Sequence, residues 1–306
     1  MSRRCDILVV GAGPAGLTAA IYARRAGKSV LVLEKDTFGG QITYSPKLEN
    51  YPGFAEISGN ELAQRMLEQA MQLGADVDMD TVVSVEDGAQ GKRVIGENDV
   101  YEADAVIIAA GARHRRLHLP GEEARIGNGV SFCAVCDGAF FKGRTVALVG
   151  GGNTALQEAL LLSETCERVV IVQNLAFLTG EKRLAEALRE RKNVEIRFST
   201  VVTAYLGGET LTGVRLKNTE TGTETELPVD GVFLAVGTEP DNAPYAVVAA
   251  RDERGYLIAD EGCTTRTPGV FAAGDCRTKA FRQVATAIAD GAAAALSACR
   301  YLDEKK

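Results

Sequence analysis

The sequence has no tryptophan, only two histidines, and an aromatic content of 6%. Glycine is plentiful instead, with 33 among 306 residues. Much glycine with few aromatics suits tight turns and close approach of backbone to a cofactor, as in nucleotide-binding α/β proteins. An excess of basic residues is also missing: 34 Lys and Arg face 41 Asp and Glu, a net charge of −7. That balance argues against nucleic acid as a partner. Long apolar runs are absent near the start, where Ile7–Val10 is cut off by Gly11. So short a run makes neither a signal peptide nor a membrane span, and a cytoplasmic protein with no membrane partner is expected. Seven cysteines in a chain of this length do not form a secreted disulfide framework. Cys5, Cys166, Cys263, Cys276 and Cys299 are isolated and read as small buried apolar residues. At 46% hydrophobic and 25% charged, the chain can bury ample core and is more natural as two domains than one.

One pattern occurs twice. CDILVVGAGPAGLTAAIYARRAGKSVLVLEKD and RTVALVGGGNTALQEALLLSETCERVVIVQNL each read as strand, glycine turn, helix, strand. Their strands are rich in Val, Ile and Leu, as buried parallel strands require. The turns are Gly11-Ala12-Gly13-Pro14-Ala15-Gly16 and Gly150-Gly151-Gly152-Asn153-Thr154-Ala155. The first glycine of such a turn permits the tight bend. The second lets backbone approach a pyrophosphate, and the third small residue packs helix on strand while free helix N–H groups face the phosphates. One such turn is weak evidence, whereas two in the same context predict two dinucleotide sites.

Three later segments, ADAVIIAAGAR, VDGVFLAVGTEPDN and TPGVFAAGDC, each read as a buried strand ending in glycine, and the last leads into a helix of small residues. The expected fold class is α/β, with two Rossmann-like three-layer dinucleotide-binding domains, the second inserted into the first. The expected domains are residues 1–114 with 243–306, and 115–242.

Cys133 and Cys136 form the one C-x-x-C pair, in SFCAVCDGAFF. A zinc site needs about four ligands, and His114 and His118 have poor spacing for it, so no metal is expected. Two inert core cysteines are the bland alternative. A redox pair fits better: two intervening residues allow a small exchangeable disulfide ring, attack needs a thiolate, and departure of the leaving thiolate is helped by a proton donor. No histidine follows His118, which excludes a C-terminal histidine acid. Asp137, next to Cys136, is the remaining candidate; a carboxylate serves if burial raises its pKa. Its plain reading is a turn residue before Gly138.

Taken together, GAGPAGLTAA, GGQIT, ENYPG, CAVCDG, GGGNTA and GVFAAGD followed by RQVATA resemble the low-molecular-weight thioredoxin reductases, a family of flavin-dependent disulfide oxidoreductases. The resemblance spans nearly the whole chain. It implies FAD in the discontinuous domain, with Gly11, Ala12, Gly13, Pro14, Ala15 and Gly16 around the pyrophosphate. Glu34 would bond the adenosine ribose, with Lys35 beside it. Gly40, Gln41, Thr43, Asn50 and Gly111 belong to the same implied site. So do Gly274, Asp275 on the ribityl chain, and Arg282, Gln283 and Val284 towards the ring edge. Asp275 also reads as a helix N-cap. In the inserted domain, Gly150, Gly152, Asn153 and Thr154 would meet a nicotinamide nucleotide. Cys136 would lie nearest the flavin, and Cys133 would attack the disulfide of thioredoxin. The resemblance further implies a homodimer and rotation of the inserted domain about His114–Leu119 and Asp241–Tyr245.

The second nucleotide site departs from the family. Where NADPH-dependent members carry His-Arg-Arg and a further Arg, this chain has Gln173, Asn174, Leu175 and Thr179. Lys182 and Arg183 follow nearby. NADPH is therefore disfavoured. An NAD site prefers a carboxylate at the position of Gln173, so NADH and a non-nicotinamide donor such as ferredoxin both stay open. The leading expectation is a thioredoxin reductase-type enzyme. The alternatives are a disulfide reductase for another partner, and a flavin-bound redox sensor without turnover.

Overall fold

A computed structural model describes residues 3–44, 48, 50–88, 91–208 and 210–305. The side chains of Arg3, Tyr44, Val135 and Cys136 also lie outside the description. The chain divides into two compact units, Met1–Arg113 with Glu239–Lys306, and His114–Thr238. The second break falls earlier than the expected 242/243. Asn242 is held by the first unit, its Nδ2 donating to the carbonyls of Gly255 at 2.9 Å and Cys276 at 2.7 Å. Asp241 pairs there with Lys35 and Arg113. The first break lies one residue earlier than expected, since His114 stacks on Phe132 of the second unit, ring centroids 5.3 Å apart.

In the first unit, a sheet runs Asp76–Met79, Val30–Glu34, Arg3–Val10, Val100–Ile108, Gly91–Gly96, Val82–Gly88. Val270–Ala272 also joins Val100–Ile108 in parallel, beyond the stretch that pairs with Gly91–Gly96. The first four strands are parallel, and Ile7–Val10, Val30–Leu33 and Val106–Ile108 are buried, as strands covered on both faces must be. Helices Pro14–Arg25, Gly59–Gln72 and Val284–Glu304 share one core, and the antiparallel strands with Tyr245, Val248 and Ala249 share the other. The abundance of small residues has a use here: a Cβ on Gly291 would lie 2.1 Å from the Ala15 carbonyl oxygen, so Val284–Glu304 crosses Pro14–Arg25 at backbone distance.

The second unit repeats the plan. A parallel sheet runs Val194–Arg197, Arg168–Val172, Thr145–Val149, Gly231–Leu234, Val130–Ser131. Helices Asn153–Ser163 and Lys182–Arg189 pack on one side through Leu156, Leu162 and Leu188. A three-stranded antiparallel sheet, Thr200–Leu206, Gly213–Asn218 and Glu224–Pro228, covers the other. Both units have the Rossmann-like, three-layer α/β arrangement expected from the duplicated pattern. Among the described residues, no helix is long and apolar enough to cross a membrane.

Candidate redox and nucleotide sites

In the first unit, strand Arg3–Val10 ends at Gly11, whose φ of +100° is left-handed. A Cβ there would lie 2.4 Å from the Ala109 carbonyl oxygen. Gly16 is fixed by closeness, since a Cβ would sit 1.8 Å from the Gly11 carbonyl oxygen. Gly13 differs: the nearest atom to its Cβ position is the Gly39 carbonyl oxygen at 3.8 Å. Gly13 is the N-cap of Pro14–Arg25, and no side chain caps that helix. The helix start thus has no side-chain cap, and the space beside Gly13 is open, as a phosphate site at a helix N-terminus requires. The Gly39–Thr43 segment docks alongside: Gly39 N–H donates to the Ala12 carbonyl at 2.8 Å, and Thr43 Oγ1 donates to the Gly40 carbonyl at 2.8 Å. Gln41 is exposed. Glu34 is buried, and it accepts from the backbone N–H of Ala12 at 2.7 Å and of Lys35 and Asp36 at 3.0 Å. It ties the end of the second strand to the turn.

Distant segments of the first unit meet at this turn. A Cβ on Gly274 would lie 2.8 Å from Ala15 Cβ. The neighbouring Asp275 has a buried Oδ1 with no hydrogen-bond partner. Burial pushes its carboxyl above the usual range, and Lys279 and Arg282 oppose that rise. The plain N-cap reading of Asp275 does not hold for Val284–Glu304, whose N-cap is Gln283 in a capping box with Thr286. Gln283 Oε1 also accepts from Asn50 Nδ2 at 3.1 Å. Arg282 donates to the Asp275 carbonyl at 3.3 Å, and its guanidinium lies 3.9 Å over the Tyr256 ring. Val284 packs on the core, and the Cβ position of Gly111 has nothing within 4 Å. Asp290 was not anticipated. Its carboxylate accepts from Gly274 N–H at 3.0 Å, Arg277 Nε at 2.9 Å and Lys279 Nζ at 2.9 Å, and so holds the turn that carries Asp275. An uncapped helix start, an open glycine and an orphaned buried carboxylate oxygen fit a diphosphate joined to a hydroxyl-rich chain.

The second turn has the same build. Gly150 has φ +137°, and a Cβ on it would lie 2.3 Å from the Ala235 carbonyl oxygen. Gly152 is the uncapped start of Asn153–Ser163 and has only Thr179 Oγ1 near its Cβ position, at 3.7 Å. Thr154 is exposed. Asn153 is engaged elsewhere, with Oδ1 accepting the Glu181 N–H at 2.6 Å and Nδ2 donating to Glu181 Oε1 at 3.2 Å. Gln173 is buried against Gly151, and its Nε2 donates to the Phe177 carbonyl at 2.9 Å. Asn174, Leu175 and Thr179 are exposed.

The cysteine pair lies in the same unit. Cys133 is half-buried and disulfide-bonded; the Cys136 side chain lies outside the description. The five isolated cysteines are free thiols, four of them buried and Cys5 half-buried. Among the described residues, no three His, Cys, Asp or Glu side chains are grouped to hold a metal ion. Strand Val130–Ser131 leads into the short helix Ala134–Asp137 and the 3-10 turn Gly138–Phe141. Phe141 anchors this run edge-on against Phe233, centroids 5.4 Å apart. The Asp137 side chain does not cap the following turn. It accepts instead from Ser131 Oγ at 2.6 Å, while Ser131 Oγ accepts the Cys133 N–H at 3.0 Å. Ser131 was missed because a serine two residues before a cysteine carries no sequence signal of its own. His114 beside Phe132 is held below its ordinary pKa by burial.

Comparison with known proteins gives one consistent result. The profile of the pyridine nucleotide-disulphide oxidoreductases matches residues 5–291. A thioredoxin reductase of Listeria innocua is 41% identical over 302 residues, covering 98% of this chain and 95% of that protein. The crystal structure of Lactococcus lactis thioredoxin reductase in its FR conformation superposes with a TM-score of 0.89 at 37% identity, covering 98% and 99% of the two chains. A ferredoxin-flavin thioredoxin reductase from Clostridium acetobutylicum is 30% identical, with a TM-score of 0.55 and coverage of 99% and 100%.

Proposed function

We propose, for a chain that belongs to the pyridine nucleotide-disulphide oxidoreductase family and is an enzyme of the thioredoxin reductase type, that Cys133 and Cys136 carry electrons from FAD to the disulfide of a thioredoxin-like protein. The observation that carries this reading is the disulfide-bonded Cys133 in a turn whose following carboxylate, Asp137, is tied back to the Cys133 backbone through Ser131. FAD would be held by the Gly11–Gly16 turn, Glu34, Asp275, Gln283 and their neighbours. When bound, it supplies the electron pair that reduces the Cys133–Cys136 disulfide.

The residues then act in sequence. Cys133 thiolate attacks one sulfur of the partner disulfide. A Cys133–partner bond forms, the partner's S–S bond breaks, and the leaving thiolate takes the proton held by Asp137. Cys136 thiol returns a proton to Asp137, and its thiolate attacks Cys133 sulfur. The second partner thiolate leaves and is protonated from Asp137. The partner gains two electrons and two protons, the enzyme disulfide is restored, and Asp137 ends ionised.

For the donor, we infer that NADPH is disfavoured. Gln173 is occupied by its bond to Phe177, and Asn174, Leu175 and Thr179 offer no charge to a 2′-phosphate. Lys182 faces Glu186 at 3.7 Å. NADH is one remaining donor. The second is a reduced protein such as ferredoxin, a reading favoured by the likeness to the Clostridium ferredoxin-flavin enzyme. Anaerobic titration of the yellow protein with NADPH, NADH and reduced ferredoxin, followed by flavin absorbance, tests the proposal. Bleaching by NADH or ferredoxin well below the concentration needed for NADPH is expected. A flavin that no donor reduces would favour the redox-sensor alternative.

A further inference from the structure

Ser131 ends strand Val130–Ser131, is buried, and is bonded around the start of the dithiol turn. Its hydroxyl donates to Asp137 Oδ2 at 2.6 Å, its oxygen accepts the Cys133 N–H at 3.0 Å, and the Cys133 carbonyl oxygen lies 3.4 Å from the same hydroxyl. One hydroxyl thus joins the residue that opens the C-x-x-C to the residue that follows it.

We propose that Ser131 is a positioning residue for the dithiol reaction, holding the Asp137 carboxyl group against the Cys133 backbone in both of its protonation states. The proposal rests on the reading of Asp137 as proton donor. A serine hydroxyl both donates and accepts. With Asp137 ionised, the Ser131 hydroxyl donates to Oδ2 across the 2.6 Å contact. With Asp137 protonated, the carboxyl O–H donates to Ser131 Oγ, and the Ser131 proton turns to the Cys133 carbonyl oxygen. The Cys133 N–H stays on Oγ throughout. Asp137 can therefore give its proton to the leaving thiolate and take one from Cys136 without seeking a new partner. The two arrangements are unequal, because 2.6 Å to a carboxylate is a strong bond and 3.4 Å to a carbonyl is a long one. The shorter of the two bonds is the one made to the ionised carboxylate. No atom passes through Ser131 itself. Among the described residues, Glu158 at the Ala134 N–H from helix Asn153–Ser163 and His114 stacked on Phe132 are titratable groups beside the turn.

The test uses FAD-loaded protein, with flavin content and melting as checks of folding. Dithionite-reduced methyl viologen supplies electrons and oxidised thioredoxin accepts them. The readouts are kcat against pH and, independently, the pH profile of iodoacetamide alkylation of the reduced dithiol. Ser131→Ala is expected to lower kcat about tenfold and to move the alkaline limb of the kcat profile up by about one pH unit, since a bond to a charged group is lost. The alkylation profile should move with it. Ser131→Thr keeps the hydroxyl and should restore both profiles, a result that stands even if the alanine variant folds poorly. In an Asp137→Asn background, Ser131→Ala should cost less than about twofold more, because a residue acting through Asp137 has nothing left to position. An unmoved limb in Ser131→Ala, a moved limb in Ser131→Thr, or an equal loss in both backgrounds would overturn the proposal. Full turnover by Asp137→Asn alone would instead remove the proton-donor reading beneath it.

Discussion

The Glu158 carboxyl meets the backbone N–H of Ala134, the residue after Cys133, and its Oε2 is buried with no hydrogen-bond partner. Burial pushes this carboxyl up to about 7 from 4.5, against the smaller opposing effect of the Ala134 bond. A proton on Glu158 therefore favours the fold. The native state binds more protons than the unfolded chain between about 4.5 and 7, so stability falls as pH rises through that window. Above it, the buried charge costs on the order of 1–3 kcal/mol. Glu158→Gln should match wild type in urea unfolding near the bottom of the window and exceed it by that amount at pH 8.5. Equal pH dependence in the two proteins would mean that Glu158 does not titrate there.

The three glycines of the first turn should separate on substitution. Gly13→Ala has room, with the nearest atom 3.8 Å from the new Cβ, so the flavin-free fold should be retained. The methyl would point into the cradle proposed for the pyrophosphate, and FAD affinity should fall about tenfold or more, about 1.4 kcal/mol per decade. Gly16→Ala meets the Gly11 carbonyl oxygen at 1.8 Å and should lose stability before binding is measured. Flavin titration and melting curves of the two variants check this. Mass spectrometry of the cofactor released from wild type should give FAD, one per chain, and recovery of FMN would sink the assignment of Glu34 and Asp275.

These contrasts mark how far the sequence was legible. The parallel strands were, because Ile7–Val10, Val146–Val149 and Val169–Val172 are runs buried on both faces, and local composition records burial. The glycine turns were legible because Gly11, Gly16 and Gly150 answer to a close backbone contact or a left-handed φ, while Gly13 and Gly152 stand open at uncapped helix starts. The antiparallel strands Val82–Gly88, Gly91–Gly96, Thr200–Leu206, Gly213–Asn218 and Glu224–Pro228 were not anticipated; each mixes buried with exposed or half-buried positions and carries polar residues, which resembles surface loop. The partners of the candidate residues were also illegible. Asn50 meets Gln283, and Asp290 holds the Gly274 turn through Arg277 and Lys279, only because the C-terminal helix returns across the first. Ser131 and Glu158 follow the same rule: their partners are set by the turn and the neighbouring helix, and their own neighbours in sequence say nothing of it.

The two cysteines should differ in what their loss leaves behind. Cys133→Ser should keep a reducible flavin and abolish turnover with thioredoxin, since no nucleophile remains to open the partner disulfide. Cys136→Ser should abolish turnover as well but leave Cys133 able to trap the partner. A covalent adduct with oxidised thioredoxin, released by dithiothreitol, should then appear on non-reducing gels for Cys136→Ser and not for Cys133→Ser. Substantial thioredoxin reduction by either variant contradicts the dithiol mechanism.

The donor prediction turns on charge at three exposed positions. Asn174, Leu175 and Thr179 present no cation, and Gln173 beneath them is locked to the Phe177 carbonyl at 2.9 Å. Each charge-assisted bond to a phosphate contributes roughly 1.5–3 kcal/mol. Wild type should therefore show a high apparent KM for NADPH and no preference for it over NADH. The triple variant Asn174→Arg, Leu175→Arg, Thr179→Arg should raise NADPH activity about tenfold or more, at about 1.4 kcal/mol per decade. It should leave NADH activity nearly unchanged, because NADH lacks the phosphate that the arginines address. Leu175 is 39% exposed, so an arginine there costs little packing. Thr179 Oγ1 lies 3.7 Å from the Cβ position of Gly152, which puts the new arginine of that site beside the helix start. Steady-state kinetics with both nucleotides decides the matter. A low-micromolar KM for NADPH in wild type defeats the argument from missing charge, and Lys182 and Arg183 are then the residues to replace.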